Sequence, residues 1–197
     1  MKKWEEKFPQ RVRERLEKIK ITPEDRERIK GMEKLRDLLS KFYKGELTPE
    51  ELANKLENKE FLIKEAQLKI IDSLSLQISS PDFKKRGKAL LTLEKTKAQG
   101  KYQQLKTEIN FLGELIKKYL EEKNRAYTRL KKQVEQDPNL RVRRIKTENE
   151  EIIVHLSPDE AVINSSQWQN FISQHDQIYQ SEFTRIVAQL KELTGST

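Results

Sequence analysis

One stretch decides the fold, residues 82–136: DFKKRGKALLTLEKTKAQGKYQQLKTEINFLGELIKKYLEEKNRAYTRLKKQVEQ. It contains no proline, and its apolar residues recur at alternating spacings of three and four, the pattern of a coiled-coil helix. The positions of this seam are Leu91, Ala98, Tyr102, Leu105, Ile109, Leu112, Ile116, Tyr119, Ala126 and Leu130. An unbroken helix of this length would extend roughly 80 Å, so other long helices must cover it. We therefore predict a mainly α protein, an elongated helical bundle or coiled coil with one very long central helix.

Two kinds of partner could cover the seam. Other helices of the same chain would give an intramolecular helical hairpin, whereas another chain would give an oligomer. Ile109 and Ile116 alternate with Leu105 and Leu112, which is the choice that favours two strands in isolated coiled coils. Both arrangements stay open at this point. The stretch also contains three glycines whose role the sequence does not reveal: Gly87, Gly100 and Gly113.

Four short segments with nearly the same sequence, a hydroxyl residue followed by a proline and an acid, are typical of helix N-termini. They are Thr22-Pro23-Glu24, Thr48-Pro49-Glu50, Ser80-Pro81-Asp82 and Ser157-Pro158-Asp159. The hydroxyl can cap a free backbone N–H, proline fits the first turn, and acids favour the positive helix end. These signals predict helices over residues 23–43 and 49–78, after a first helix near residues 9–20. We assign residues 1–80 to an N-terminal segment of three helices and residues 81–197 to the rest.

The periodicity changes between residues 140 and 156. The segments LRVRRIK, which starts at Leu140, and EIIVHL, which starts at Glu151, are rich in β-branched residues around a polar turn. They predict a short β-hairpin. A two-stranded hairpin is only marginally stable by itself, so we expect it to lie against a helix or against a second copy of itself. After Pro158 the helical spacing returns as far as Leu193, with an interruption near Asn164.

The order long helix, β-hairpin, long helix over residues 82–193 resembles the architecture of a prefoldin subunit. The resemblance concerns the order of elements and no sequence motif, and about the first 80 residues have no counterpart in it. It implies a holdase chaperone in which helix tips bind unfolded chains.

Charge is distributed unevenly along the chain. The chain has a formal net charge of +8, and residues 81–136 alone contain 15 basic and 7 acidic residues, whereas residues 158–197 contain 2 and 5. Basic side chains can contact phosphates in a salt-dependent, sequence-tolerant way. The candidates for such anion or nucleic-acid contacts are Lys84, Lys85, Arg86, Lys88, Arg129, Lys131, Lys132, Arg141, Arg143 and Arg144. Because acids are interspersed among them and no nucleic-acid-binding motif is present, a solvated helix face is the competing interpretation.

Signals of catalysis are nearly absent. The chain has no cysteine, and its two histidines, His155 and His175, lie on a predicted strand and on an apolar helix stripe. A single histidine in such a place is usually a packed residue, and no zinc, di-iron, phosphate-loop or serine-nucleophile spacing occurs. We therefore expect no catalytic residue, no metal site and no cofactor.

The sequence thus favours a non-enzymatic coiled-coil scaffold or assembly protein, with a homo-oligomer or another helical protein as partner. Nonspecific nucleic-acid binding and a prefoldin-like holdase are the alternatives. No apolar run is long enough to span a bilayer, and the first residues lack the apolar core of a secretory signal, so we expect a cytoplasmic protein. The sequence leaves the pathway, the partner's identity and the stoichiometry open.

Overall fold

The computed structural model describes residues 22–98, 100–146 and 151–195. The chain divides into two compact units, Met1–Thr48 and Pro49–Thr197. The predicted boundary at residue 80 lies within the second unit and stays a prediction. The helix predicted near residues 9–20 lies outside the described residues.

The described part of the first unit contains helix α1, Pro23–Lys44. The Thr22 hydroxyl accepts the backbone N–H of Asp25 at 3.1 Å, and the Asp25 carboxylate accepts the backbone N–H of Thr22 at 3.1 Å. This reciprocal capping box satisfies two N–H groups that the first turn leaves free. Gly45 ends the helix in the left-handed conformation, with φ 84°. The start therefore matches the sequence signal, and the end lies one residue beyond the predicted one.

The second unit is mainly helical, with one two-stranded antiparallel hairpin before the last helices, as predicted. Its helices are α2 Pro49–Leu56, α3 Glu60–Asp72, α4 Ser80–Lys95, α5 Tyr102–Gln136, α6 Pro158–Ile163 and α7 Ser166–Leu193, and its strands are β1 Val142–Lys146 and β2 Glu151–His155. A 3-10 turn, Pro138–Arg141, links α5 to β1.

The predicted unbroken helix over residues 82–136 is wrong in its first part. Helix α4 ends at Lys95, and the long central helix, α5, begins only at Tyr102. The two helices pack antiparallel, because a Cβ on Gly87 would lie 3.1 Å from Ile109 and a Cβ on Gly113 would lie 2.9 Å from Phe83. The long helix is therefore 35 residues, roughly 50 Å.

Two smaller boundaries also differ from expectation. The helix predicted over residues 49–78 is interrupted after Leu56, because Asn58 takes a left-handed conformation with φ 61°, which asparagine tolerates better than most residues. The cap of α4 is Ser79 rather than Ser80, since the Ser79 hydroxyl accepts the N–H of Asp82 at 3.2 Å. The expected interruption near Asn164 is present, and Ser165 caps α7.

Helix α5 is the centre of the second unit. It packs against α4, α6 and α7, while α3 contacts α4 and α7. Residues Tyr179, Phe183, Ile186 and Leu190 form the buried stripe of α7, and α7 is antiparallel to α5. A second apolar cluster joins Leu130 and Val134 of α5 to Ala161 and Val162 of α6. None of the helices in the described ranges combines the length and the apolar character needed to cross a bilayer.

The hairpin is antiparallel, with Val142 opposite His155 and Ile145 opposite Ile152. Among the described elements, the most extensive contacts of the hairpin are those between its own two strands. Leu156 extends the pairing beyond the strands, because its N–H donates to the carbonyl oxygen of Arg141 at 2.8 Å. Ile145, Ile152 and Ile153 are exposed, so no helix among the described residues covers this part of the hairpin, and cover by a second copy stays a prediction.

Candidate protein-interaction site

Most seam residues are buried on α5. The seven that are buried are Leu105, Ile109, Leu112, Ile116, Tyr119, Ala126 and Leu130. Tyr102 is half-buried at the start of α5, Leu91 is half-buried on α4, and Ala98 is exposed between the two helices. The seam positions before Tyr102 therefore do not continue the α5 stripe. Helices α4, α6 and α7 of the same chain cover the α5 stripe, so the seam is used within one chain.

Aromatic rings fill the middle of the α5–α7 contact. The His175 ring centroid lies 4.9 Å from that of Tyr119, 4.8 Å from that of Phe171 and 4.6 Å from that of Tyr179. Tyr119 is itself buried. Towards the end of α5, the rings of Tyr127 and Trp168 are 5.4 Å apart in an edge-on arrangement. Such pairs add to the free energy that area burial supplies, and they fix α7 against α5.

Hydrogen bonds connect polar side chains of α5 and α7 at this contact. The Tyr119 hydroxyl donates to Asp176 Oδ1 at 2.9 Å and accepts from Lys123 Nζ at 3.2 Å. Burial, together with a hydrogen bond to the Glu122 carboxylate, raises the pKa of Tyr179 to about 12. The same hydrogen bond from Tyr179 is the main reason that the pKa of Glu122 lies below its usual value. These bonds fix the rotation of α7 relative to α5 because each has a defined geometry.

His175 is the only strong candidate for acid–base chemistry at this contact. Its imidazole is 6% exposed, and neither ring nitrogen makes a hydrogen bond, although Nε2 lies 3.3 Å from Glu122 Oε2. Two stacked rings, those of Tyr119 and Phe171, and the tilted ring of Tyr179 surround it, so its geometry favours a packing role. His155 is exposed on β2. In the part of the chain that the structure describes, no three His, Asp or Glu side chains are grouped so that they could hold a metal ion.

A groove of about 690 Å³ lies between α5 and α7. Leu115 and Ile186 contribute apolar surface to it, and the ring of Phe111, which is 60% exposed, lies beside them. The remaining lining residues are polar or charged: Glu108, Glu114, Lys117, Lys118, Glu121, Glu182, Arg185 and Gln189. An exposed aromatic ring surrounded by charges of both signs is typical of protein-contact surfaces.

The basic candidates lie in separate places. The first turns of α4 carry Lys84, Lys85, Arg86 and Lys88, and the end of α5 carries Arg129, Lys131 and Lys132. The 3-10 turn ends at Arg141, and β1 carries Arg143 and Arg144. Since α4 begins beside Gly113, about 24 Å of α5 separates the first group from Arg129. The structure therefore does not bring the basic candidates together in one patch.

Several of these cations already have partners within the chain. Lys88 pairs with Glu50 at 2.8 Å, and Lys131 pairs with Asp159 at 2.7 Å. The Arg86 guanidinium donates to the carbonyl oxygen of Ser73. These contacts reduce the positive charge that a polyanion would meet.

One buried polar cluster escaped the sequence reasoning. Glu94 is 1% exposed, and its carboxylate accepts from Gln67 Nε2 at 2.8 Å, from Lys97 Nζ at 2.8 Å and from the backbone N–H of Lys101 at 2.7 Å. Burial alone would raise the pKa of Glu94, but these three donors outweigh it, so its pKa is lowered from 4.5. We call this set, with Gly100, the α4–α5 corner. Only a weak sequence signal marks this corner, because Glu94 lies three residues before Lys97 and six before Gly100.

Comparison of the chain with protein-family models, with curated proteins and with solved structures finds no match.

Proposed function

We propose that this chain is a non-enzymatic assembly protein that binds other protein chains, and first of all copies of itself. The observation that carries the proposal is the hairpin, which leaves Ile145, Ile152 and Ile153 exposed. Two strands alone are marginally stable in water, and exposed isoleucines on them are costly. A partner that covers this surface would remove both costs.

The α5–α7 groove supports the same class of function. Phe111 is exposed beside it, and Ile178, one turn before Glu182 on α7, is 68% exposed. Large aromatic and aliphatic side chains are the residues that anchor protein interfaces. The groove suits a helix of a partner, because an amphipathic helix can place its apolar face between two others.

Light scattering after size-exclusion chromatography tests the proposal. One chain has a mass of 23.4 kDa, and we expect a multiple of that mass which becomes more populated as the protein concentration rises from low to high micromolar. A mass of one chain at every concentration would contradict self-association. Small-angle scattering on the same samples gives an independent measure of particle size.

The exposed cations Arg129, Lys132 and Arg143 support a second candidate, nonspecific nucleic-acid binding. Fluorescence anisotropy with labelled duplex and single-stranded DNA and RNA, at two salt concentrations, tests it, because binding through phosphate contacts weakens steeply with salt. No binding at low salt would exclude this function. The holdase alternative depends on the order of α5, the hairpin and α7, and failure to suppress aggregation of a denatured client would count against it.

A further inference from the structure

The pairing within the hairpin shows which backbone groups of β2 face away from β1. Leu156 donates its N–H to Arg141, and in an antiparallel ladder the residues that face the neighbour alternate. Residues 154 and 152 therefore also face β1, in pairs with residues 143 and 145. It follows that residues 151, 153 and 155 direct their N–H and C=O groups to the outer edge of β2.

This outer edge has the properties of a surface that another strand covers. Ile153, at its middle, is 55% exposed, and Ile152 and His155 are exposed as well. A strand edge with unpaired backbone groups readily accepts another strand, and proteins that leave such an edge free usually protect it with lysine, proline or a bulge. The segment EIIVH contains none of these.

We propose that β2 of one copy pairs antiparallel with β2 of a second copy, about a two-fold axis between the two Ile153 residues. The two hairpins then form one four-stranded sheet. This inference rests on the proposed self-association and names the surface that produces it. A two-fold contact of this kind is closed, so it gives a dimer rather than a filament.

The register of this pairing matches side chains of compatible chemistry. Ile153 lies opposite Ile153 of the second copy, Ile152 opposite Val154, and residue 151, an acid, opposite His155. Apolar pairs across strands are stabilising, and a carboxylate can accept a hydrogen bond from the N–H of a neutral imidazole. Ile145, Ile152 and Val154 share one face of the hairpin, so the sheet brings six aliphatic residues together on one side.

The other possible edge and the other registers fit less well. An equivalent two-fold pairing of β1, with the sequence VRRIK, would place Arg144 opposite Arg144, and like charges directly opposite each other are destabilising. A two-fold axis at Ile152 would place Ile153 opposite residue 151, an acid, and one at Val154 would place it opposite His155, so both registers set an isoleucine against a polar residue. The pairing centred on Ile153 is therefore the one that sets apolar residues opposite each other at all three inner positions of β2.

A single cysteine tests this pairing directly, because the chain has none of its own. At the proposed axis the two Cα atoms of residue 153 would be about 5.5 Å apart, a separation that a disulfide spans. We expect Ile153→Cys to form a covalent dimer under mild oxidation, on the order of tenfold more than a control that meets its copy only by collision. The matched controls are Ile163→Cys, at a residue 54% exposed on α6, and Arg144→Cys on β1.

Light scattering of charged variants gives the second readout. Ile153→Lys would place two ammonium groups on the axis, so we expect the mass of one chain, whereas Ile163→Lys should keep the mass of the unmodified protein. Circular dichroism of both variants verifies that they fold. If Ile153→Lys does not fold, the cysteine variants decide the question.

The outcomes separate this inference from the proposed function. An oligomer in which Ile153→Cys forms no more covalent dimer than its controls would overturn the β2 pairing and leave self-association in place. Preferential crosslinking of Arg144→Cys would overturn it in favour of the β1 edge. A single-chain mass for the unmodified protein would refute both.

Discussion

Replacement of Glu94 by glutamine should destabilise the protein strongly, because it leaves a buried ammonium without its counter-charge. The Lys97 side chain is 7% exposed, and its Nζ lies 2.8 Å from the Glu94 carboxylate and 3.1 Å from the carbonyl oxygen of Thr194. Loss of one partner of a buried ion pair costs about 3 to 5 kcal/mol. With an m-value of about 2 kcal/mol per M, the urea midpoint should fall by about 1.5 to 2.5 M.

The control for this prediction is an exposed ion pair of the same chemistry. Glu50 pairs with Lys88 at 2.8 Å, but both side chains are more than half exposed, so Glu50→Gln should lower the urea midpoint far less than Glu94→Gln. Urea unfolding followed by circular dichroism at neutral pH measures both variants. Addition of Lys97→Met to Glu94→Gln should recover part of the loss, because no buried charge then lacks a partner. Equal midpoints for Glu94→Gln and Glu50→Gln would refute the reasoning.

Three further expectations follow from the same contacts. The pKa of Glu94 is lowered in the folded state, so its ionisation stabilises the fold fully above about pH 4.5 and less as the pH falls further. The difference in unfolding free energy between the native protein and Glu94→Gln should therefore shrink as the pH falls below about 4.5. A difference that stays constant would contradict the shift. Gly100→Ala should lower the melting temperature, at a cost of about 1 to 3 kcal/mol, because the new Cβ would lie 2.6 Å from the Glu94 carbonyl oxygen; an unchanged melting temperature would show that the corner can shift. Tyr119→Phe should cost about 1 kcal/mol in urea unfolding, since its buried hydroxyl bonds Asp176, and more than Tyr127→Phe, whose hydroxyl bond to Asp159 is exposed.

The parts of the fold that the sequence predicts well are those that neighbouring residues determine. The predicted helix starts at Thr22 and Ser157 are each capped through a residue three positions away, and the change of period after Pro138 is visible within a few residues. The β-hairpin and the last helix follow from such local signals. Their boundaries in the structure differ from the predicted ones by only a few residues, as expected for elements defined by short-range contacts.

The end of α4 is different, because a distant residue determines it. The seam positions Leu91, Ala98 and Tyr102 keep the coiled-coil register across this end, and only Gly100 hints at an interruption. Glu94 is fixed by Gln67, 27 positions earlier in the chain, and no local pattern indicates that pair. The same limitation applies to the proposed interface, since the exposure of Ile153 depends on where the helices lie.

The hydrogen bond from Lys97 to Thr194 joins residues 97 positions apart, and this has a consequence for synthesis on the ribosome. Helix α5 emerges well before α7, the helix that covers much of its apolar stripe, and a core built from such distant contacts forms late. During that interval the nascent chain exposes Leu112, Ile116 and Tyr119 to other nascent chains and to chaperones. Ribosomes that pause before Ser166 would prolong this exposure, so the yield of folded protein should depend on how rapidly the last helix is translated.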